Sequence, residues 1–483
     1  MGISLNLNVI IPELLFLVIG CGIFLIDKFI RNKTYAFFIG LVTVAAALIF
    51  LFFSPFGVFT HAYHSDFYSV TLKILFLFGA ILIFFISYNY LQSFPALNYG
   101  EYYALILFSL LGAFFMVSAM DLITIDLSME LMSFPLYFLI ALNFADIRKS
   151  VEGAFKYFLL GSLGSVFFLI GIAFVYYLTH SVDLLVISKV FQKYGLSKLG
   201  ILAFIFLLAG FSIKLAMVPF HMWSPDAYES APLPVTTFIA SLIKFVVMAT
   251  LVKLIILGFN SGRVAIGELL IPIALLTILI GNVLAVKQDN IVRMLAYSSI
   301  AHAGYATLGL ISANYTGYSF SLFYMFVYML MAIGSFSLLI ILAKGNRELL
   351  EIPNLAGLSK RSPFMAFMFV IFMFSLAGVP PTAGFMAKLY LFLALIKAKF
   401  ILVAIFALLF SVIGAYPYLR VLKVIYMEKG EGKEFTPSYG ATLLIPILVT
   451  SALILIIGIF PKPWTELFYK TVFFYITMLF YPH

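Results

Sequence analysis

The sequence predicts an all-α protein that crosses a membrane many times. Of its 483 residues, 64% are hydrophobic and only 10% are charged, and the mean hydropathy is +1.14. A soluble domain carries roughly 25% charged residues. The apolar residues form runs of about 20, the length that a helix needs to cross a bilayer. The joints between these runs are short, so they leave no room for a separate soluble catalytic domain.

We predict fourteen membrane spans from these runs. They cover residues 9–27, 34–53, 66–90, 101–120, 122–143, 151–178, 200–222, 235–257, 264–286, 291–312, 317–343, 363–396, 400–426 and 440–460. A last apolar run, at 465–480, is short and lies between Pro463 and Pro482, so we expect it to lie at the membrane interface.

The seventh and twelfth spans contain helix breakers. Pro219 interrupts the seventh span, and the GVPP segment at 378–381 interrupts the twelfth. Five spans separate the two breaks, which predicts two five-helix repeats of inverted topology, each forming a half-channel. The chain then divides into an N-terminal three-helix segment (1–100), a first repeat (101–257), a second, inverted repeat (264–426) and a C-terminal span with an interfacial tail (427–483).

The basic residues predict how the chain is oriented. Most Lys and Arg residues between spans lie in the odd-numbered joints, and such residues gather on the cytoplasmic side of a membrane. Both termini are therefore predicted to face outward. The formal charge of +9 comes from these span ends, so it indicates no nucleic-acid partner. The first run lacks the basic start and cleavage site of a signal peptide, and we interpret it as a retained span.

Several lysines lie inside predicted spans. Lys214 and Lys244 are too far from the span ends to reach water, and Lys388 repeats the Lys214 pattern beside carbonyl groups that a helix break sets free. A lysine near the bilayer centre costs roughly 2.5–3.5 kcal/mol on insertion scales, so it needs a functional reason. Burial penalises the charged form, which lets a buried lysine lose and regain a proton near neutral pH. Lys253 lies nearer the outer end of its span, and we expect its side chain to extend to the interface.

Charged residues of the fifth and sixth spans have two interpretations each. Glu130 lies near the middle of the fifth span, with Asp126 one turn earlier on the same face. Glu130 either pairs with a lysine to hold two helices together or relays protons. In the sixth span, Glu152 and Lys156 are spaced i to i+4, which fits an ordinary surface pair as well as a functional site.

Two histidines are further candidates for proton transfer. The tenth span sets Ser298, His302 and Tyr305 on one helical face. A row of hydroxyl, imidazole and phenol groups can carry a proton through hydrogen bonds, although a lone membrane histidine often only packs. His221, in the segment PFHMW, has the same two interpretations.

Motifs for redox or nucleotide chemistry are missing from the sequence. Cys21 is the single cysteine, which excludes an internal disulfide and a cysteine-ligated iron–sulfur cluster. There is no Walker loop, no HExxH motif and no dinucleotide fingerprint. We therefore expect ion gradients or partner subunits to supply any energy or redox chemistry.

Five segments of the sequence resemble a known family. They are VPFHMWSPDAYESAPLPVTTFIASLIKF, SMELMSFPL, SVEGAFKYFLLG, MLAYSSIAHAGY and FSLAGVPPTAGFMAKLY. These segments closely resemble the antiporter-like membrane subunits of respiratory complex I, and the likeness extends over nearly the whole chain. The resemblance implies fourteen helices, two inverted five-helix repeats and a file of ionisable residues along the membrane midplane.

The resemblance also implies roles for individual residues. Glu130 is the carboxylate that pairs with Lys214. Lys244 is the central relay lysine, and Lys388 is the terminal residue of the file. Further hydrophilic positions of the file are Lys156, His221 and His302. Asp126 departs from the family pattern, which usually has an apolar residue there, so the protonation expected of Glu130 could belong to a carboxylate pair.

The function that the resemblance implies is proton translocation without redox chemistry. The chain would be a multi-pass subunit in the plasma (cell inner) membrane, assembled with other membrane-arm subunits. Partner subunits would handle NADH, flavin, iron–sulfur clusters and quinone, and this chain would bind no cofactor and no metal. Two related classes stay open: a subunit of a multisubunit cation/proton antiporter, and a membrane subunit of an energy-converting hydrogenase.

Overall fold

The computed structural model confirms the all-α membrane class. It describes residues 6–30, 32–53, 56–93, 100–142, 147–345, 347–429 and 440–480, without the side chains of 344–348 and 476–480. Within these ranges, twelve helical segments are long and apolar enough to cross a membrane. The chain is therefore a multi-pass helical membrane protein.

Among its described residues, the first half of the chain forms eleven α-helices and one hairpin. The helices are α1 (Ile11–Ile26), α2 (Thr34–Phe53), α3 (Phe67–Ser93), α4 (Gly100–Ser118), α5 (Leu122–Ala141), α6 (Ile147–Thr179), α7 (Leu184–Tyr194), α8 (Lys198–Leu215), α9 (Trp223–Ser230), α10 (Leu233–Phe238) and α11 (Lys244–Gly258). Strands β1 (Gly57–Thr60) and β2 (Tyr63–Ser65) pair antiparallel between α2 and α3. A π-helical turn, Ile239–Ile243, joins α10 to α11 in one continuous span.

The described part of the second half forms nine α-helices. They are α12 (Arg263–Val286), α13 (Ile291–Ile311), α14 (Tyr315–Gly345), α15 (Leu358–Arg361), α16 (Pro363–Ala377), α17 (Ala383–Lys397), α18 (Ile401–Met427), α19 (Ala441–Ile459) and α20 (Lys462–Phe480). Each predicted span contains described helix, although the seventh and twelfth are interrupted, and α13 and the pair α16 and α17 are not among the twelve apolar segments. The count of fourteen and the inverted relation of the repeats therefore stay predictions.

Small residues let neighbouring helices approach closely. A Cβ atom on Gly112 of α4 would lie 2.2 Å from the backbone nitrogen of Met132 in α5. A Cβ atom on Gly281 of α12 would lie 2.6 Å from the backbone nitrogen of Ala301 in α13. Helices in a bilayer associate through such close packing because lipid is as apolar as their own side chains. At the centre of the bundle, α14 and the Leu233–Gly258 span are buried along their apolar length.

The predicted break in the seventh span is confirmed, but it begins before the proline. Helix α8 ends at Leu215, because Ala216 adopts the left-handed conformation with φ 57°. The Met217 N–H then donates to the Ser212 carbonyl over 2.8 Å, which closes the helix end. Pro219 lies beyond this cap in a cis peptide, and the chain becomes helical again at α9.

The break in the twelfth span is confirmed as well. Helix α16 ends at Ala377, and Gly378 follows with φ 86°, a left-handed conformation that glycine adopts without a steric penalty. Helix α17 begins at Ala383, after the cis peptide Pro380–Pro381. Both breaks leave carbonyl groups at a helix end inside the bundle, where they are able to face polar side chains.

The two ends of the bundle differ in structure. One end carries β1 and β2 and the starts of α3 and α5, and we call it the hairpin end. The Met120 N–H donates to the Ala62 carbonyl over 2.9 Å, which ties the hairpin to the start of α5. The opposite end carries the starts of α6 and α13, and we call it the Arg293 end.

The C-terminal helix α20 packs against the bundle. Its residues Phe468, Val472 and Tyr475 are fully buried, and the helix contacts α14, α3 and α11. The sequence predicted an apolar run at 465–480, and the helix covers Lys462–Phe480. Its placement at the membrane interface stays a prediction.

Candidate functional site: a buried row of ionisable side chains

Glu130 and Lys214 form an ion pair inside the bundle. The Lys214 ammonium lies in the last turn of α8 and donates to Glu130 over 3.2 Å, to the Ser133 hydroxyl over 2.8 Å and to the Tyr137 hydroxyl over 3.3 Å. Ser165 donates to the same Glu130 oxygen over 2.6 Å. The Lys214 side chain is fully buried, whereas the Glu130 side chain is 33% exposed. The pair thus joins a buried cation to a more accessible carboxylate.

Asp126 lies on the buried side of α5, one turn before Glu130. It is 6% exposed, and its Oδ1 atom has no hydrogen-bond partner among the described residues. It interacts electrostatically with both Glu130 and Lys214. A second carboxylate therefore accompanies the ion pair, which is the arrangement that a carboxylate pair of Asp126 and Glu130 needs.

Lys244 is fully buried at the start of α11. Its ammonium donates to the Ser299 hydroxyl over 2.6 Å and to the Ser299 carbonyl over 3.2 Å. Both acceptors are neutral, and neutral groups compensate a buried charge only partly. The π turn ends directly before Lys244, and such turns are frequent at functional sites.

His302 uses both ring nitrogens. Its Nδ1 atom lies 2.8 Å from the Tyr324 hydroxyl, and its Nε2 atom lies 3.3 Å from the Tyr418 hydroxyl. Tyr418 also shares a hydrogen bond of 2.6 Å with Ser298. His302 lies within electrostatic range of both Lys244 and Lys388. Of the row predicted on α13, Ser298 and His302 are joined through Tyr418 of α18, whereas the Tyr305 hydroxyl accepts from Asn282 over 3.1 Å.

Lys388 lies one turn into α17 and points back to the end of α16. Its ammonium donates to the carbonyls of Leu376 and Ala377 over 3.1 and 2.9 Å and to the Ser411 hydroxyl over 3.4 Å. The Tyr305 ring centroid lies 4.8 Å from the same nitrogen. The negative end of the α16 dipole offsets the ammonium charge. The prediction that carbonyls freed by the break accompany Lys388 is confirmed.

Lys214 does not share this geometry. It precedes its helix break, whereas Lys388 follows one, and its hydrogen bonds go to side chains. The Ile213 carbonyl at the end of α8 accepts instead from the Trp223 indole over 2.9 Å. The expectation that Lys388 repeats the Lys214 pattern is therefore wrong in this respect, because the chain turns at Ala216 rather than bending beside Lys214.

Glu130, Lys214, Lys244, His302 and Lys388 together are called the buried row. Lys156 lies away from it, at the Arg293 end. Its side chain is 40% exposed and pairs with Glu152 and Asp226, each over 2.7 Å. Arg293 pairs with Asp226 over 2.8 Å and with Glu229 over 2.9 Å. Burial raises the pKa of Asp226, but hydrogen bonds from Lys156 and Arg293 outweigh it and hold that pKa below its ordinary value. Asp226 therefore stays ionised at neutral pH.

A surface cavity lies over this charged network. It has an empty volume of about 510 Å³ and is lined by Lys149, Glu152, Gly153, Asp226, Glu229, Ser230 and Arg293. The charged network at the Arg293 end is thus accessible to water.

His221 lies in the segment between α8 and α9. It is 8% exposed, and its Nδ1 atom has no hydrogen-bond partner among the described residues. Within the described part of the chain, no side-chain hydrogen bond joins His221 to the buried row. The structure therefore leaves both interpretations of His221 open.

Sequence reasoning misjudged one buried lysine and missed another. Lys253 does not extend to the interface: it is fully buried, and its ammonium donates to the Val117 carbonyl over 2.9 Å. Lys73 is also buried and pairs with Glu13 over 2.6 Å. The available signal was a charged residue inside each of the apolar runs at 9–27 and 66–90. Among the described residues, no group of three or more His, Cys, Asp and Glu side chains could hold a metal ion.

The fold, with its buried ionisable groups, is that of the antiporter-like class of membrane subunits. Residues 119–462 match the family model described as NADH:quinone oxidoreductase/Mrp antiporter, TM. The relatives are more specific. Subunit N of NADH-quinone oxidoreductase from Trichlorobacter lovleyi is 39% identical over 95% of this chain and 95% of its own. The corresponding protein of Coxiella burnetii is 38% identical over 93% and 95%.

This chain belongs to the family of subunit N of NADH-quinone oxidoreductase, which confirms the resemblance to complex I subunits. A chain of respiratory complex I from Thermus thermophilus is 29% identical, with a TM-score of 0.79 over 94% of this chain and 99% of its own. A chain of the Mrp complex from Dietzia sp. is 19% identical, with a TM-score of 0.85 over 99% and 98%, and shows a shared fold alone.

Proposed function

We propose that this chain is a redox-inactive, proton-translocating subunit of an NADH-quinone oxidoreductase. The observation that carries the proposal is the buried row: the ion pair of Glu130 and Lys214, then Lys244, His302 and Lys388. Buried ionisable groups are costly in a membrane and mark ion pathways by default. The names of the relatives support the assignment to this complex.

Hydroxyl groups give the row a way to pass protons. A hydroxyl donates one hydrogen bond while it accepts another, so it can take a proton on one side and release one on the other. Ser299 stands beside Lys244, and Tyr324 and Tyr418 stand at the two nitrogens of His302. A neutral imidazole that gains a proton at one nitrogen and loses one at the other moves a proton across the ring without a net change in charge.

The charged network at the Arg293 end fits a proton entrance. Asp226 stays ionised, and the cavity above it is open to water. The distribution of basic residues places this end on the cytoplasmic side, with both termini outward in a cell inner membrane. Lys156 would then hold the entrance carboxylates in place.

We expect Lys156→Arg to leave proton pumping nearly unchanged. Arginine keeps the positive charge and the hydrogen bonds to Glu152 and Asp226 but cannot release its proton. Exposed ion pairs contribute little to the stability of a fold, so the loss of this pair should disturb the entrance only slightly. Lys156→Met should therefore lower pumping by less than about fivefold. The measurement is acidification of sealed vesicles per NADH oxidised. Loss of most pumping in Lys156→Arg would show that Lys156 itself must exchange a proton.

The energy source of the proposed function lies in partner subunits. NADH oxidation, electron transfer through flavin and iron–sulfur clusters, and quinone reduction belong to them, and this chain would work only inside the hetero-oligomer. Other membrane-arm subunits and lipid would contact its apolar outer surface. The inverted repeats at 101–257 and 264–426 would supply the two half-channels of the row.

Purification of the intact assembly tests the proposed function. A tagged chain isolated in mild detergent should carry a peripheral arm that contains flavin and iron–sulfur clusters. After reconstitution, NADH-driven quinone reduction should acidify one side of the vesicles. Cation/proton exchange by an assembly without this arm would instead identify a multisubunit antiporter, and a nickel–iron protein in the preparation would identify a hydrogenase.

A further inference from the structure

A second group of ionisable side chains is buried at the hairpin end. We call it the hairpin-end cluster, and its members are Glu13, Tyr63, His64, Asp66, Lys73, Lys253 and Tyr475. They come from α1, β2, the start of α3, the end of α11 and α20. None of them belongs to the buried row described above.

One part of the cluster is a closed triad. Lys73 pairs with Glu13 over 2.6 Å and donates to the Tyr63 hydroxyl over 2.8 Å, and Tyr63 donates to the same Glu13 oxygen. Both charged side chains are 1% exposed. The Phe114 ring centroid lies 5.0 Å from the ammonium and completes the enclosure.

The other part surrounds Lys253. Its ammonium donates to the Val117 carbonyl and lies 5.7 Å from the centroid of the Tyr475 ring. Asp66 and Lys73 are the charged groups within electrostatic range of it. Asp66 is itself buried, at 3% exposed. The cluster therefore contains two ammonium groups and two carboxylates that interact as one unit.

His64 connects the cluster to the protein surface. It is partly exposed on β2 and interacts electrostatically with Lys253, Asp66, Asp183 and His61. Burial, and then the positive charge of Lys253, lower the pKa of His64 below its ordinary value. Its imidazole is therefore neutral at pH 7 and free to accept a proton.

Stability alone does not account for the cluster. A buried ion pair recovers little more than the cost of removing its charges from water, and apolar residues of similar volume often serve as well. Two carboxylate oxygens, Glu13 Oε2 and Asp66 Oδ2, have no hydrogen-bond partner among the described residues. A buried polar atom without a partner costs free energy, so its presence calls for an explanation. A site that gains and loses a proton is one such explanation.

The cluster is separate from the buried row but shares a helix with it. Lys253 follows Lys244 by nine residues on α11, a rise of about 13 Å. Lys244 bonds Ser299 of α13, whereas Lys253 bonds Val117 of α4, so the two ammonium groups point to different sides of α11. The cluster thus lies between the level of the row and the hairpin surface.

We propose that the hairpin-end cluster is a second proton-binding site, which holds a proton on Lys253 and releases it to water through His64. The proposal rests on the proposed function. In the release step, Lys253 gives one proton to His64, directly or through water, and becomes a neutral amine. His64 becomes an imidazolium, loses a proton to water and is neutral again. Asp66 lies within electrostatic range of both Lys253 and His64, the two groups that hold the proton in turn.

Charge-conserving variants of the assembled complex test this site. Lys253→Arg keeps the cation but cannot release a proton, and we expect it to lose at least about half of the pumping per NADH oxidised. The matched control is Lys287→Arg, at an exposed lysine beyond the end of α12, which should pump normally.

In the unsubstituted protein, pumping should fall as the pH on the hairpin side falls through the lowered pKa of His64. His64→Gln should pump less and lose this inflection.

The outcomes separate this proposal from the proposed function. Normal pumping and an unchanged pH profile in Lys253→Arg and His64→Gln would mean that the cluster only ties the hairpin to the bundle. If Lys253→Arg does not assemble, His64→Gln decides alone, because His64 lies on the partly exposed hairpin. Lys244→Arg is measured in parallel. If Lys244→Arg also pumps normally, the proposed function fails. If Lys244→Arg stops pumping while Lys253→Arg and His64→Gln pump normally, only the hairpin-end proposal is overturned.

Discussion

Replacing Lys244 with alanine should reduce proton pumping by the assembled complex at least about tenfold, because proton transfer by a positioned side chain typically contributes 10²- to 10⁴-fold. Lys244 is fully buried and held by the hydroxyl and carbonyl of Ser299. No other lysine of the row contacts Ser299 in the described hydrogen bonds, so we expect no neighbouring ammonium to replace it. The measurement is the number of protons moved per NADH oxidised in sealed vesicles.

Two further variants separate loss of function from loss of structure. Lys244→Met fills the same space without a charge, and it should assemble as well as the unsubstituted chain while pumping as poorly as Lys244→Ala. Lys287→Ala removes an exposed lysine and should have no effect. Normal pumping in Lys244→Met, at normal assembly, would remove Lys244 from the pathway and with it the central step of the proposed function.

The membrane spans and the helix breaks could be predicted because local sequence determines them. Apolar runs of about 20 residues must be helical in lipid, where every backbone group needs an internal partner. Gly378 and the prolines after it end α16 by their own covalent geometry, and Pro219 indicated the break that follows α8. The local sequence contained no signal for the left-handed conformation of Ala216, which ends α8 before the proline.

The burial of lysines was harder to predict, because depth in a span is not the same as burial. Lys253 lies near a helix end, yet Val117 of α4 and Tyr475 of α20 cover it. Those neighbours are more than a hundred residues away in sequence, and no pattern within the eighth span indicates them. For the same reason the sequence did not indicate that Tyr418 of α18 forms a hydrogen bond with His302. Residues on one helix could be placed on a shared face, but their partners on other helices could not.

The second large effect is expected at Glu130. Glu130→Gln keeps the shape of the side chain but removes its charge, and we expect at least about a tenfold loss of pumping. In the structure, one Glu130 oxygen accepts from both Lys214 and Ser165. In this variant the Lys214 ammonium has only neutral acceptors, namely the glutamine amide oxygen and the hydroxyls of Ser133 and Tyr137.

The reason for the loss is that the ion pair can act as a switch. A closed pair favours the proton on Lys214, and an open pair favours its release, because burial penalises an uncompensated charge. Each tenfold change in proton affinity corresponds to about 1.4 kcal/mol, so a modest movement of Glu130 would decide whether a proton leaves Lys214. The partial exposure of Glu130 leaves it room for this movement, whereas Lys214 is enclosed.

Asp126 makes a double substitution necessary. It is buried one turn away and interacts with both members of the pair, so it is able to supply a negative charge when Glu130 is neutral. Glu130→Asp, shorter by one methylene, should retain intermediate pumping, and Asp126→Asn alone should cause a smaller loss than Glu130→Gln. If Glu130→Gln pumps well and the Asp126→Asn, Glu130→Gln double variant does not, the two carboxylates share one function. Full pumping by the double variant, normalised to assembled complex, would rule out the switch, because no carboxylate of this group would then be needed to control the proton on Lys214.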